Sequence, residues 1–203
     1  MGLVLDTAPS AYPVTLEEAK IHLRLADLAE EDSIVSYLIT AATEQAEAFT
    51  QRRFITQTWK LLFDSFPSKL TPTEDWPGAI RLPYPPLQSI THVKYYDTNS
   101  TQQTLTAGTN YVVDTGTQPG RIVPAPQLIW PSVQTEKLNA VEIKFVCGYG
   151  AAAAVPASIK AAILLILAHY YEYRQEVVTG TIVTKIPMAS EWLLWPYRDL
   201  RAV

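Results

Sequence analysis

VPASIKAAILLILAHYYEYRQ, residues 155–175, decides the fold class of this chain. Pro156 suits a first helical turn, because its missing N–H removes a donor that has no intrahelical partner there and its φ is already helical. Ile159, Ile163, Ile166 and Tyr170 then follow helical spacing, while Leu164, Leu165, Leu167 and Tyr171 fill most of the remaining circumference. A helix apolar nearly all round is buried nearly all round, in a core, a membrane or a subunit interface. The uninterrupted apolar run, 161–168, is eight residues bounded by Lys160 and His169, whereas a span needs about 20. Core and interface remain, with Ile163, Leu164, Leu165, Leu167 and Tyr171 as the residues expected there, on a helix expected over 156–176.

Composition sets wider limits. With 203 residues and 48% hydrophobic content the chain can build a large packed core. A net charge of -4 and a pI near 5.4 argue against an autonomous DNA-gripping module. The single cysteine, Cys147, cannot form an internal disulfide, and no charged-then-apolar signal segment opens the sequence, so a reducing, cytoplasmic origin is expected.

Working outward, residues 1–13 read as an extended arm. Thr15 and Glu18 form a capping box that starts a short helix over about 15–25. A second helix is expected over 33–52, capped by Asp32 or Ser33. There Ile34, Leu38, Ala41 or Ala42, and Phe49 take the apolar side, and Ser36, Thr40, Glu44 and Glu47 the polar side. Arg52 and Arg53 fall where a helix C-terminus favours cations. From 54 to 150 period-two alternation and prolines replace the helical pattern. The clearest strand places Val141, Ile143, Phe145 and Cys147 on one face and Glu142 and Lys144 on the other. Asp97-Thr98-Asn99-Ser100 supplies hairpin chemistry before 102–105. The expected architecture is α+β: a small helical core with an inserted, mainly antiparallel β domain and an extended aromatic C-terminal tail. The segments are 1–53 (arm and helices), 54–150 (β insertion), 151–178 (long helix) and 179–203 (flexible linker and docking tail).

No catalytic, cofactor-binding or metal-binding residue is expected. Gly148-Tyr149-Gly150-Ala151-Ala152-Ala153 matches G-x-G-x-x-A between a strand and a helix, but Pro156 starts the helix after Ala153, where the motif needs its third small residue inside. A tight turn is the plainer reading. His22, His92 and His169 are far apart in sequence and lack metal-ligand spacing. The carboxylates Glu17/Glu18, Glu30/Glu31/Asp32 and Glu44/Glu47 fit caps, dipole positions and solvated faces, and G-x-S-x-G is absent. The tail stands apart: Trp192, Leu193, Leu194, Trp195, Pro196 and Tyr197, with Arg198 beside them, either fold back on their own core or dock into a partner's groove.

Several short motifs occur in a telling order. They are Val14-Thr15-Leu16-Glu17-Glu18-Ala19-Lys20 with His22-Leu23-Arg24-Leu25, Ala41-Ala42-Thr43-Glu44 leading to Arg53, Gln57-Thr58-Trp59, and Leu82-Pro83 with Pro85-Pro86-Leu87. Val93-Lys94-Tyr95-Tyr96-Asp97, Gly148-Tyr149-Gly150 with Val155-Pro156, and Pro196-Tyr197-Arg198 follow. In this succession the chain resembles the tailed-phage head-tail connector family, the adaptors and head-completion proteins found in phages and prophages. The resemblance implies a structural, non-enzymatic adaptor without cofactor, made in the bacterial cytoplasm and placed in the virion neck. Its partners would be the portal protein, neighbouring copies in a ring of about twelve, a stopper or tail-completion protein, and double-stranded DNA passing through without specific binding. Residues 192–198 would then be the portal-docking segment. The alternatives are a tail-completion or stopper protein contacting the tail side and, more remotely, a nucleotide-binding or hydrolytic neck protein.

Overall fold

The computed structural model describes residues 1–25, 29–67, 76–173 and 188–200. They divide into a β unit, Met1–Pro9 with Thr56–Gly148, and a helical unit, Ser10–Ile55 with Tyr149–Leu200. The strands in chain order are β1 (Gly2–Thr7), β2 (Gln57–Phe63), β3 (Ile80–Arg81), β4 (Leu87–Tyr96), β5 (Gln102–Leu105), β6 (Tyr111–Asp114), β7 (Arg121–Pro124) and β8 (Val141–Cys147). The helices are α1 (Leu16–Leu23), α2 (Asp32–Thr50), α3 (Ala157–Glu172) and α4 (Met188–Leu194), the last running into a 3-10 turn, Trp195–Tyr197.

In the β unit an antiparallel five-stranded sheet has the order β1-β2-β8-β4-β5, and a three-stranded sheet has the order β3-β7-β6. One core joins them: Leu61, Val93, Val141, Ile143 and Phe145 from the first sheet pack with Ile80, Tyr111 and Ile122 from the second, and with Trp130. Alternation explains the arrangement, since odd positions of β8 are fully buried while Glu142 and Lys144 face outward. Asp97 Oδ1 accepts from the Asn99 and Thr101 N–H groups at 2.9 and 3.0 Å, closing the β4–β5 turn.

The N-terminal arm differs from expectation. Residues 2–7 form β1, an edge strand paired antiparallel to β2 with Gly2 opposite Leu62 and Leu5 opposite Trp59. That pairing is non-local, so no nearby residue signals it. The insertion boundaries also move by a residue or two, because Phe54 and Ile55 belong to the helical core and Tyr149 N–H donates to Phe54 O at 3.0 Å.

In the helical unit Thr15 and Glu18 make the reciprocal capping box, with Glu18 N–H to Thr15 Oγ1 at 3.1 Å and Thr15 N–H to Glu18 Oε2 at 2.8 Å. Lys20 Nζ, 2.6 Å from Asp32 Oδ1, ties α1 to the first turn of α2. Neither Asp32 nor Ser33 is the N-cap of α2. A 3-10 turn, Ala29–Glu31, precedes it, and Glu31 holds the cap position without a side-chain cap bond.

The buried face of α2 lies one position on from the expected one. Val35, Ile39, Ala42, Thr43, Ala46 and Thr50 are buried, Leu38 and Phe49 pack at the margin, and Ile34 is exposed. Both stripes are apolar at helical spacing, and the partner, not the period, chose between them. Glu47 also departs from the polar side. It turns under the end of the helix, where its carboxylate accepts the Phe54 N–H at 2.8 Å and meets Arg53 at 3.3 Å. α2 ends at Gln51 in the left-handed conformation (φ 56°), so Arg52 and Arg53 lie just beyond it.

α3 packs on α2, α1 and α4. α3 ends earlier than expected, at Glu172, with Tyr173 as a non-helical C-cap whose N–H donates to His169 O at 2.9 Å. Residues 174–176 of the expected helix, the flexible stretch at 179–181 and the last tail residues lie outside the described residues. The tail is not extended where it is described, because 188–197 is helical.

Candidate assembly surface

The circumference of α3 divides between core and surface. Ile163 and Leu167 are fully buried with Ile159, Ala162 and Ile166, and Leu164 packs against that core while remaining partly open. Leu165 and Tyr171 are half-buried on the same flank as Ala161 and Ala168. Spacings of three and four make these one stripe. Of the five residues expected in core or interface, two are core and three border a partly covered apolar stripe.

The tail divides the same way within six residues. Leu194 is 2% exposed and belongs to the helical core, and Leu193 and Tyr197 pack at its edge. Tyr197 OH lies 2.9 Å from Ser158 Oγ, the Arg52 Nε–H donates to the Tyr197 carbonyl, and Asp199 N–H donates to Thr50 O at 2.9 Å. These contacts hold the segment on the C-terminal end of α2 and the first turn of α3. The two tryptophans stay outside: Trp192 is 74% and Trp195 56% exposed. Trp195 leans on Phe49, with ring centroids 6.4 Å apart, and the Arg198 guanidinium carbon is 5.4 Å from both ring centroids. The result is a supported aromatic platform with a cation at its rim. Pro196 is exposed within it. The segment is therefore folded back through Leu193, Leu194 and Tyr197 while Trp192 and Trp195 remain exposed.

The helical unit also exposes apolar residues that the sequence reading did not single out. Ile21 and Tyr37 stand out from α1 and α2, Tyr37 at 73% exposure. The Ile34–Tyr37–Ala41 spacing is the available signal for Tyr37; the expected apolar side takes Ile34, Leu38, Ala41 or Ala42, and Phe49 and leaves Tyr37 out.

Elsewhere polar groups are engaged in structure. In the glycine loop, Gly148 N–H donates to Pro86 O at 2.9 Å, and the N–H groups of Ala154 and Val155 close the 3-10 turn on Ala151 and Ala152. A phosphate cradle would need such donors turned outward. His92 Nε2 lies 2.7 Å from Glu142 Oε1, and the His169 ring is tilted against those of Tyr170 and Tyr173. Burial raises the Glu47 carboxyl above its ordinary range, against the Phe54 N–H and Arg53, which lower it. Among the described residues no group of three or more His, Cys, Asp or Glu is placed to hold a metal, and no helix is long and apolar enough to cross a membrane.

Exposed apolar platforms on capped, ion-paired scaffolding are the surface chemistry of an assembly protein. Residues 13–114 match the family model of the phage gp6-like head-tail connector protein. That is half of the chain, which therefore belongs to this family and is a structural head-tail connector. No curated protein matches the sequence. Among solved structures, a chain in the neck of an empty GTA particle computed with C6 symmetry is 26% identical over 100% of this chain and 98% of its own, with a TM-score of 0.76. A chain in the virion of a native gene transfer agent particle is 24% identical with a TM-score of 0.76, and one in the neck of a native GTA particle computed with C12 symmetry is 23% identical with a TM-score of 0.68. Both are matched over 100% of this chain and 98% of theirs.

Proposed function

We propose that the chain is the adaptor of a phage-like neck: a ring beneath the portal that joins head to tail and conducts DNA without enzymology. The observation that carries this reading is the end-to-end likeness to a chain of a particle neck. Closed rings are heterologous and need two different faces on each subunit. The half-covered stripe of Leu164, Leu165 and Tyr171 supports one of them, against a neighbouring copy. The platform of Trp192, Trp195 and Arg198 supports docking to the portal, since exposed Trp and Arg on a rigid base are the usual anchors of an interface. A net charge of -4 suits a channel through which DNA slides without phosphate contacts.

The test is a pair of substitutions in the full chain, Trp192→Ala and Trp195→Ala, mixed with portal rings and imaged by electron microscopy. Truncation after Ser190 is unsuitable, because it would remove the core residue Leu194. Folded protein that no longer decorates portal rings is the expected result. Undiminished decoration would sink the docking assignment, and binding to the tail-side protein instead would make the chain a stopper.

A further inference from the structure

The β unit carries a hole and a knob on its two outer faces. The hole is an open groove of about 670 Å³ on the outer side of the three-stranded sheet, floored by Val112 and Val123 and walled by Trp76, Pro126 and Leu128. Val112 and Val123 are paired across β6 and β7, and their neighbours Tyr111 and Ile122 point into the core, so the groove faces away from it. Trp76 is 55% exposed, and Ile129 beside Leu128 is exposed as well. The knob is Leu138, 79% exposed at the turn before β8. Its neighbour Lys137 lies over the Tyr96 ring, 3.8 Å from the centroid. Lys137 and Asn139 line a second hollow with Leu62, Lys94, Tyr96 and Glu142. Those strand residues alternate with the buried Leu61, Val93, Val141 and Ile143, so this turn sits on the outer side of the five-stranded sheet.

A protruding apolar side chain and an apolar groove on opposite faces of one body are what a heterologous, head-to-tail contact requires. We propose that Leu138 of one copy seats in the Trp76–Val112–Leu128 groove of the next, so that the β units form a second belt of the ring. The charges agree. Glu136 and Lys137 flank the knob, and the groove holds Asp114 and Arg121, whose ion pair at 3.0 Å can re-pair across the contact. Size also selects the occupant. An apolar patch of a few hundred Å² falls well short of the ~800 Å² per partner of a stable pair, so it suits a repeated contact within a closed ring, where effective concentration replaces intrinsic affinity.

This inference rests on the ring reading, and two measurements separate them. In particles carrying L138C with V112C, mild oxidation should give a ladder of disulfide-linked multimers, whereas either single variant should stop at dimers. Both positions are exposed and Cys147 is buried, so folding is spared and background oxidation is suppressed. L138C with L128C provides a second geometry. Lysine-reactive fixation of unsubstituted particles reports separately whether copies adjoin. Adjoining copies without a disulfide ladder from either pair would overturn the knob-in-groove contact and leave the ring; no fixed multimers would remove both.

Discussion

Asp6 Oδ2 lies 2.7 Å from Lys144 Nζ, and the second carboxylate oxygen of Asp6 lies 2.8 Å from Lys60 Nζ. Lys60 and Lys144 are cross-strand partners on β2 and β8, and like charges directly opposite disfavour a sheet. Asp6 sits at the bulge of β1, where the register shifts between Leu5 and Thr7, and so reaches both. One carboxylate pins the edge strand and offsets the repulsion within the pair beneath it.

Asp6→Asn should therefore loosen β1 while leaving the rest of the β unit folded. The hydrogen bonds to Lys144 and then Lys60 hold the Asp6 carboxyl down to about 2. A depressed carboxyl stabilises at pH above its ordinary value, and that contribution is lost as pH falls through the folded value. Amide exchange should show residues 2–7 protected at neutral pH and through mild acid, and released only as pH approaches about 2. In the Asn variant protection of the same amides, relative to their intrinsic exchange rates, should be lower and should lose this acid transition.

Glu47 predicts the opposite slope. Its folded pKa is raised, first by burial, so its contribution is present below the ordinary glutamate value and lost as pH rises through the folded one. Compared with Glu47→Gln in chemical denaturation between about pH 4 and 7, the natural chain should gain relative stability toward acid. A flat difference would remove the burial argument.

Leu194→Ala and Trp192→Ala should separate folding from docking. Leu194 is buried among core residues, and its truncation should cost about 2–5 kcal/mol. Trp192 is exposed and should change stability by no more than about 0.5 kcal/mol. Thermal denaturation of the two variants reads both values.

Gly120 has no room for a side chain, since an added Cβ would stand 2.5 Å from Leu87 Cβ and 2.6 Å from Leu87 Cδ2. Leu87 is buried and Gly120 O accepts the Leu82 N–H at 2.8 Å, so neither partner can withdraw cheaply. Gly120→Ala should destabilise the β unit by about 1–3 kcal/mol, seen as a lowered denaturation midpoint.

Local signals made much of this molecule legible. The Thr15–Glu18 box and the strict alternation of 141–147 are each complete within a few residues, and each appears in the structure as read. Pro156 marks the start of the apolar helix to within one residue: it is the N-cap of α3 (ψ 139°) and not part of its first turn. The motif order pointed to the connector family that residues 13–114 match. Tertiary contact decided the rest. Ile34 and Val35 head equally periodic stripes of α2, and packing against the neighbouring helices buries only the second. β1 finds β2 across some fifty intervening residues, a pairing that composition does not encode. In the tail, adjacent Leu194 and Trp195 share an apolar character but not a fate: the helical turn aims one at the core and the other at solvent. Periodicity states that a face is apolar; which neighbour covers it is a property of the folded chain.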